Sequence, residues 1–166
     1  MVSQRTRRPG PAVDTRALTG DDWELKRHLR LAALLDSPAV FASSHAREAG
    51  RSPAQWRDWP GHGSSFAAFD GVEPVGIVGA WTTPADPGVT HLISMWVCPA
   101  ARGRGVGGRL VAAVTGWARQ RDACRVELEV AAGNGAAMRT YTRAGFTLAG
   151  REPFTAGGTV LELRLR

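Results

Sequence analysis

The first part of the chain with regular apolar spacing has the pattern of an amphipathic helix. Leu25, Leu29 and Ala32 recur three or four residues apart, and neighbouring leucines widen the apolar stripe. Thr19 begins a capping-box pattern, which marks a helix start. Pro38 marks the other end, because a residue that precedes proline disfavours the helical region. The pattern therefore predicts a helix between these two points.

Shorter apolar runs later in the chain have the length of strands, and turn residues separate them. Asp70-Gly71 divides two such runs and predicts a hairpin, whereas residues 82–88 hold two prolines and a glycine and predict a loop. In chain order, the remaining patterns predict a short helix from Ser52-Pro53, strands over 66–69, 75–81 and 91–97, a helix over 106–117, a strand over 125–130, a helix over 136–144 and a strand over 160–165. A strand–helix–strand unit places two parallel strands side by side. We therefore expect an α+β fold with a mixed, mostly antiparallel sheet, a central βα crossover and flanking helices.

Length and composition are those of one globular domain. The chain has 166 residues, of which 43% are hydrophobic and 22% charged, and we expect a single domain over residues 14–166. Residues 1–13 are basic and rich in proline and glycine, which predicts a disordered tail. The sequence contains neither a signal-peptide pattern nor an apolar run long enough to span a bilayer, so we expect a cytoplasmic protein without a membrane partner.

The formal net charge of +6 changes this picture only slightly. Part of the excess lies in the basic tail and in Arg164 and Arg166, where charge is usually solvated. The remaining arginines suit a phosphate-bearing ligand as well as a nucleic acid, and we expect no nucleic-acid partner. Cys98 and Cys124 are isolated and the four histidines are scattered, so we also expect no metal site.

A glycine-rich segment between a predicted strand and a predicted helix is the most informative part of the sequence. Residues 102–108 read Arg-Gly-Arg-Gly-Val-Gly-Gly. Backbone N–H groups in such a loop, beside a helix N-terminus, bind phosphate or pyrophosphate. Gly103, Gly105 and Gly108 match the G-x-G-x-x-G pattern of a dinucleotide fold. However, four residues separate them from the strand, and that strand does not open the domain, so we disfavour this interpretation.

Arg102, Gly105 and Gly107 also follow the pattern Arg/Gln-x-x-Gly-x-Gly/Ala after a strand. A second signature lies downstream and consists of Leu128-Glu129-Val130, Asn134, Ala137, Tyr141 and Gly145-Phe146. In these two signatures the chain resembles the GNAT N-acetyltransferase superfamily. The likeness covers about residues 90–148, and the order of elements extends it to residues 15–166. Residues 38–59 loosely resemble the acceptor-side region of bacterial members.

The resemblance implies acetyl-CoA as co-substrate and a defined set of residues that bind it. In the family, the strand before the glycine loop separates from its parallel neighbour at a β-bulge, and the pantetheine arm fills the gap. The pyrophosphate then lies on the loop amides, and Asn134 either caps the following helix or contacts the cofactor. By this resemblance, the cofactor-binding residues are Met95, Trp96, Val97, Arg102, Gly103, Arg104, Gly105, Val106, Gly107, Gly108 and Asn134.

The resemblance also supplies candidates for proton transfer during direct attack of an amine in a ternary complex. Tyr141, the only tyrosine, stands at the position of the general acid that protonates the leaving thiolate. Glu129 matches the base of the ribosomal-protein N-terminal acetyltransferase branch. An alkylamine is mostly protonated at neutral pH and must lose a proton before it attacks. Glu48 and Glu127 are further candidates for that base, and a mechanism without a dedicated base stays open.

The sequence does not select the acceptor. We expect a primary amine of a small molecule or of a protein, and a monomer or homodimer. A catalytically silent protein that binds acyl-CoA as a sensor or interaction module is the alternative, because it needs the glycine loop but no acid or base. Fold alone does not decide between these functions.

Overall fold

The computed structural model describes residues 12–165. The predicted tail falls mostly outside this range, although its last residue, Val13, is described and is buried. The helices and strands are β1 Asp14–Leu18, α1 Trp23–Asp36, α2 His45–Ala49, α3 Pro53–Asp58, β2 Gly63–Asp70, β3 Glu73–Thr83, β4 Asp86–Val97, α4 Val106–Gln120, β5 Arg125–Val130, α5 Gly135–Arg143, β6 Thr147–Leu148 and β7 Thr159–Arg164. None of these helices is long and apolar enough to cross a lipid bilayer.

The seven strands form one sheet in the order β1-β2-β3-β4-β5-β7-β6. Only β4 and β5 pair in parallel; the other neighbours are antiparallel. The α4 helix connects the parallel pair, since a crossover is needed to return the chain to the same end of the sheet. The predicted α+β fold with a mixed sheet and a central crossover is confirmed.

Helices cover both faces of the sheet because its central strands are apolar on both sides. Ile77 of β3 packs with Leu29 of α1 on one face. Its neighbour Val78 packs with Leu110 of α4 on the other face, as the alternation of side chains along a strand requires. The two helices therefore hold β4, which follows β3 in the sheet, between two packed layers.

The predicted elements need several corrections. The strand β1, the short helix α2 and the two-residue strand β6 were not predicted. The segment 82–88 is not a loop throughout, because β3 continues to Thr83 and β4 begins at Asp86. Pro87 is tolerated there, since proline occurs at strand starts where no ladder donor is needed. The carbonyl of Gly88 accepts a hydrogen bond from the Cys124 N–H at 2.7 Å, which ties this end of β4 to the start of β5.

Candidate functional site

The strand β4 contains a β-bulge near its carboxyl end. Ile77 of β3 lies opposite Trp96, whereas Gly79 lies opposite Ile93. Two residues of β4, Ser94 and Met95, therefore face a single residue of β3, and Ser94 has a positive φ of 56°. A bulge of this kind bends the strand and frees backbone groups from the ladder.

Beyond the bulge, β4 and β5 separate. Their described pairing is limited to residues 89–91 of β4 with residues 125–127 of β5. Met95, Trp96 and Val97 lie on the separated part of β4. The gap between the two strands is open to an extended ligand that pairs with the free edge of β4. This matches the bulge and gap that the resemblance predicted.

A first cavity, of about 770 Å³, runs from this gap along the glycine loop and the first turns of α4; we call it the cofactor cavity. Gly103 and Gly105 line it with positive φ values of 74° and 79°, and nothing lies within 4 Å of a Cβ placed at either position. Among the described residues that line it, three are arginines, namely Arg102, Arg119 and Arg143, and none is acidic. The loop amides, the N-terminus of α4 and these arginines give the cavity a positive potential.

The side chains of Arg102 and Arg104 hold the loop in place. The Arg102 Nε donates to the Val97 carbonyl at 3.0 Å, and its Nη2 donates to Asp36 at the end of α1. Asp36 also accepts from the Trp96 indole at 2.9 Å. Hydrogen bonds from Trp96, Ser37 and Arg102 lower the pKa of Asp36 to about 2.

Arg104 pairs with Asp70 at 2.8 Å and does not line the cofactor cavity. The resemblance placed Arg102 and Arg104 among the cofactor-binding residues. In the structure, carboxylates of the chain itself engage both guanidinium groups. Arg102 still borders the cofactor cavity.

A second cavity, of about 700 Å³, lies on the other side of the gap; we call it the acceptor cavity. Its walls come from β4, β5, the 154–156 loop and the segment from α1 to α3. Five residues line both cavities: Val40, Phe41, Met95, Asn134 and Ala137. The two cavities therefore meet beside the bulge. Asn134 also caps α5, since its Oδ1 accepts from the Ala137 N–H at 3.2 Å.

Tyr141 lies on the buried face of α5 and lines the acceptor cavity. Its ring packs on Phe146, with centroids 5.7 Å apart. Burial raises the pKa of the Tyr141 phenol well above its ordinary value. The hydroxyl therefore stays protonated at neutral pH, which is the state that a proton donor requires.

Glu129 also lines the acceptor cavity, but other groups engage its carboxylate. The oxygens accept from the N–H groups of Phe154 and Thr155, at 2.7 and 2.8 Å, and from the Thr155 hydroxyl. Burial by itself would raise the pKa of Glu129, yet the hydrogen bonds from Thr155 and Phe154 outweigh it and lower the pKa. Glu129 thus anchors the loop after β6 and is ionised at neutral pH.

The two other carboxylates considered from the sequence are held in ion pairs. Glu127 is buried beneath Arg125 and Arg151 and does not line the acceptor cavity. Glu48 is buried in that cavity's wall and accepts from Arg30 at 2.9 and 2.8 Å. Of the three carboxylates, Glu129 is therefore the one that faces the cavity without an arginine partner at ion-pair distance.

Most of the acceptor wall lies in residues 38–59, which loosely resembled an acceptor-side region, but sequence reasoning assigned a role there only to Glu48 and did not include Arg30. Arg30, Phe41, Arg47, Arg51 and Trp59 line the acceptor cavity together with Glu48. The sequence contained one weak signal for this wall. Lys26 and Arg30 stand four residues apart within the apolar stripe of α1, and the structure shows that both are buried. Charged residues are rarely fully buried unless they are paired.

Comparisons with known proteins agree with this geometry. Residues 29–146 match the model of the acetyltransferase (GNAT) family. A mycothiol acetyltransferase from Mycobacterium avium is 34% identical over 149 residues, which covers 84% of this chain and 47% of that protein. The chain thus spans about half the length of the curated relatives that it matches.

Solved structures share the fold. A GNAT acetyltransferase from Streptococcus pneumoniae superposes with a TM-score of 0.75 at 17% identity, over 93% of this chain and all of that one. A protein from Salmonella typhimurium, solved with its cofactor acetyl-CoA, superposes with a TM-score of 0.71 at 17% identity, over 93% of this chain and 95% of that one. At these identities, the likeness establishes the fold alone.

Proposed function

This chain belongs to the acetyltransferase (GNAT) family, and we propose that it transfers the acetyl group of acetyl-CoA to a primary amine of a small molecule or protein. The observation that carries this proposal is the meeting of the two cavities beside the bulge of β4. One cavity is positively charged and lined by glycine, and the other faces Tyr141 and Glu129. Such an arrangement brings two substrates together from opposite sides.

The cofactor cavity fits the chemistry of coenzyme A. Its open glycine loop leaves room for a pyrophosphate against backbone amides, and Arg119 and Arg143 offset the charge of phosphates, whereas Arg102 is paired with Asp36. The free edge of β4 at Met95–Val97 is suited to the amide groups of a pantetheine arm. Bound acetyl-CoA supplies the thioester whose acetyl group is transferred.

We propose that Tyr141 and Glu129 handle the protons of the reaction. The acceptor ammonium gives one proton to Glu129, its nitrogen forms a bond to the acetyl carbonyl carbon, the carbon–sulfur bond breaks, and the sulfur gains the proton of Tyr141. The nitrogen loses its second proton as the amide forms; this proton returns to Tyr141 through water, and the first passes from Glu129 to solvent. Tyr141, protonated because it is buried, donates the proton to sulfur. Glu129 accepts the amine proton, directly or through water. A carboxylate has about four acceptor positions. The 154–155 loop uses three of them, so one remains for the amine or a water molecule.

The acceptor and the cellular setting are proposed only at the level of class. The curated relatives are named mycothiol acetyltransferases, so the panel of acceptors to be tested includes mycothiol-related amines. A bacterial cytoplasm is the proposed setting, because the reported relatives are bacterial. A monomer or homodimer remains the predicted assembly.

Two measurements test the proposal. Calorimetry should give saturable binding of acetyl-CoA and none of NADH; the opposite result would restore the dinucleotide interpretation. A panel of amines with acetyl-CoA should then release free thiol at a rate that depends on the amine. Binding of acetyl-CoA without thiol release for any amine would favour the silent sensor instead.

A further inference from the structure

The wall of the acceptor cavity between α1 and α3 carries more positive than negative charge. Arg30 is only 5% exposed. Its Nε and Nη2 donate to the two carboxylate oxygens of Glu48 at 2.9 and 2.8 Å. The third nitrogen, Nη1, is buried and has no hydrogen-bond partner among the described residues. A buried polar group without a partner is costly, and a bound ligand, ion or water removes that cost.

Arg51 shares the same carboxylate. Its Nη1 lies 3.2 Å from Glu48 Oε2 and also lacks a hydrogen bond within the described chain. Burial would raise the pKa of Glu48, but the hydrogen bond and charge of Arg30 outweigh it and lower the pKa. Glu48 therefore supplies one negative charge against two guanidinium groups.

Arg47 adds a third positive charge to this wall. Its guanidinium forms no ion pair with any described residue, and it lines the same cavity. The other carboxylate of the cavity, Glu129, lies on β5 and keeps its negative charge, because its donors from the 154–155 loop are neutral. The wall between α1 and α3 itself carries three guanidinium groups against the one carboxylate of Glu48, and charge-assisted hydrogen bonds stabilise an anion there.

We propose that the acceptor is a small amine that carries an anionic group, and that Arg30, Arg47 and Arg51 bind this group while the amine reaches the bulge of β4. The proposal rests on the proposed acetyl transfer and names its substrate class. Phe41 lies between the arginine wall and the cofactor cavity, with its ring centroid 4.8 Å from the Arg30 guanidinium carbon. It offers an apolar surface to the carbon chain that joins the two ends of such an acceptor. Carboxylate and phosphate are the anions that a guanidinium group matches best.

The first experiment compares matched acceptors by thiol release. Amino acids from glycine to 6-aminohexanoate, leucine and 2-aminoethylphosphonate are each compared with the amine or amide that lacks the anion. The anionic members should show kcat/KM about tenfold to a hundredfold higher, the range expected for a hydrogen bond to a charged group. The carboxylate and phosphonate arms identify which anion is preferred. Equal or faster turnover of the neutral amines would overturn the proposal while leaving the acetyltransferase function intact.

The second experiment needs no turnover. The N-acetylated forms of the same amino acids and of their amides are titrated with and without coenzyme A, and binding is followed by the intrinsic fluorescence of the six tryptophans, of which Trp59 lines the acceptor cavity. The carboxylates should bind and the amides should bind at least tenfold more weakly. Absence of carboxylate binding, or equal binding of both, rejects the proposal even if no amine is acetylated.

Variants locate the site. The double substitution Arg47→Gln and Arg51→Gln should remove most of the preference for anionic acceptors through KM, and leave the Kd for acetyl-CoA unchanged. Arg27→Gln, an exposed arginine of α1 outside the cavity, is the matched control and should change neither quantity. An anion preference that survives the double substitution would place the anion elsewhere.

Discussion

At the scale of single residues, the chemistry depends on how burial and hydrogen bonds set the protonation states of two side chains. Tyr141 is buried beside Phe146, and its pKa is raised, so it keeps its proton. Glu129 receives three donors, and its pKa is lowered, so it loses its proton. At neutral pH, Tyr141 is therefore protonated and Glu129 is ionised, which are the states that their proposed roles require.

Tyr141→Phe tests the acid. The ring and its contact with Phe146 are kept, and only the hydroxyl is lost. We expect kcat to fall by about a hundredfold, the lower end of what a positioned acid contributes, while the Kd for acetyl-CoA stays the same. The raised pKa also predicts that wild-type kcat shows no decline as pH approaches 10. An unchanged kcat in the variant would assign Tyr141 a packing role only.

Glu129→Gln tests the base. A carboxylate with a lowered pKa is ionised throughout the neutral range, so the variant should depress kcat/KM at pH 7 by about tenfold or more. Activity should recover as pH rises toward the acceptor's own pKa, near 10.4 for an alkylamine, because the free amine then no longer needs a base. Initial rates from pH 6 to pH 10 give this profile.

Thr155→Val is the matched control for that experiment. It removes one donor to Glu129 and loosens the same loop, but it leaves the carboxylate in place. Losing a donor to the ionised form raises the pKa of Glu129. The acid limb of the variant should therefore lie at higher pH than that of the wild type, with little loss at pH 8; initial rates below pH 6 are needed to measure it, because the pKa of Glu129 is lowered. Profiles for Glu129→Gln and wild type that run parallel would restrict Glu129 to anchoring the loop.

At the scale of elements, the glycine loop and α4 contain two glycines whose replacement should have different effects. Gly105 is the residue before α4 and has a left-handed conformation that β-branched residues avoid. Gly116 lies within α4, and a Cβ there would meet nothing within 4 Å. We expect Gly105→Val to abolish measurable acetyl-CoA binding in calorimetry, because it strains the loop and fills the cofactor cavity.

The same helix supplies the control. Gly116→Ala should raise the free energy of unfolding by about 0.5–1 kcal/mol, since alanine favours the helical conformation, and it should leave acetyl-CoA binding unchanged. Denaturant titration measures the first effect. If Gly105→Val bound acetyl-CoA normally, the loop would not be the pyrophosphate site.

The elements also indicate which features local sequence can encode. The α1 and α4 helices and the glycine loop before α4 were predictable, because long periodic stripes and glycine runs are local signals. The β1 strand is short and has no marked alternation, and it forms by pairing with β2. The bulge at Ser94 and Met95 carries no glycine signal, so only the family resemblance predicted it. The acceptor wall brings together residues that are 18 to 21 positions apart along the chain. Arg30 and Arg51 both contact Glu48, and no pattern in a single sequence encodes these contacts.

At the scale of the whole molecule, one carboxylate joins the layers that form the two cavities. Asp36, at the end of α1, accepts hydrogen bonds from Trp96 on β4 and from Arg102 on the glycine loop. The acceptor-side helices, the bulged strand and the cofactor loop are thereby fixed relative to one another. Positioning of two substrates in one geometry is a large part of what an enzyme contributes to a bimolecular reaction.

Because the cavities meet at Met95, Asn134 and Ala137, both substrates can be present before the acetyl group moves. We expect double-reciprocal plots of initial rates against both substrates to intersect, as a ternary complex requires. Mass spectrometry of enzyme incubated with acetyl-CoA alone should show no acetylated protein. Cys98, the residue after β4, is the thiol closest in sequence to the cleft, and Cys98→Ala should leave kcat unchanged. Parallel lines, an acetylated enzyme or loss of activity in Cys98→Ala would instead require a covalent acetyl-enzyme, in which the acceptor cavity receives its substrate only after coenzyme A has left.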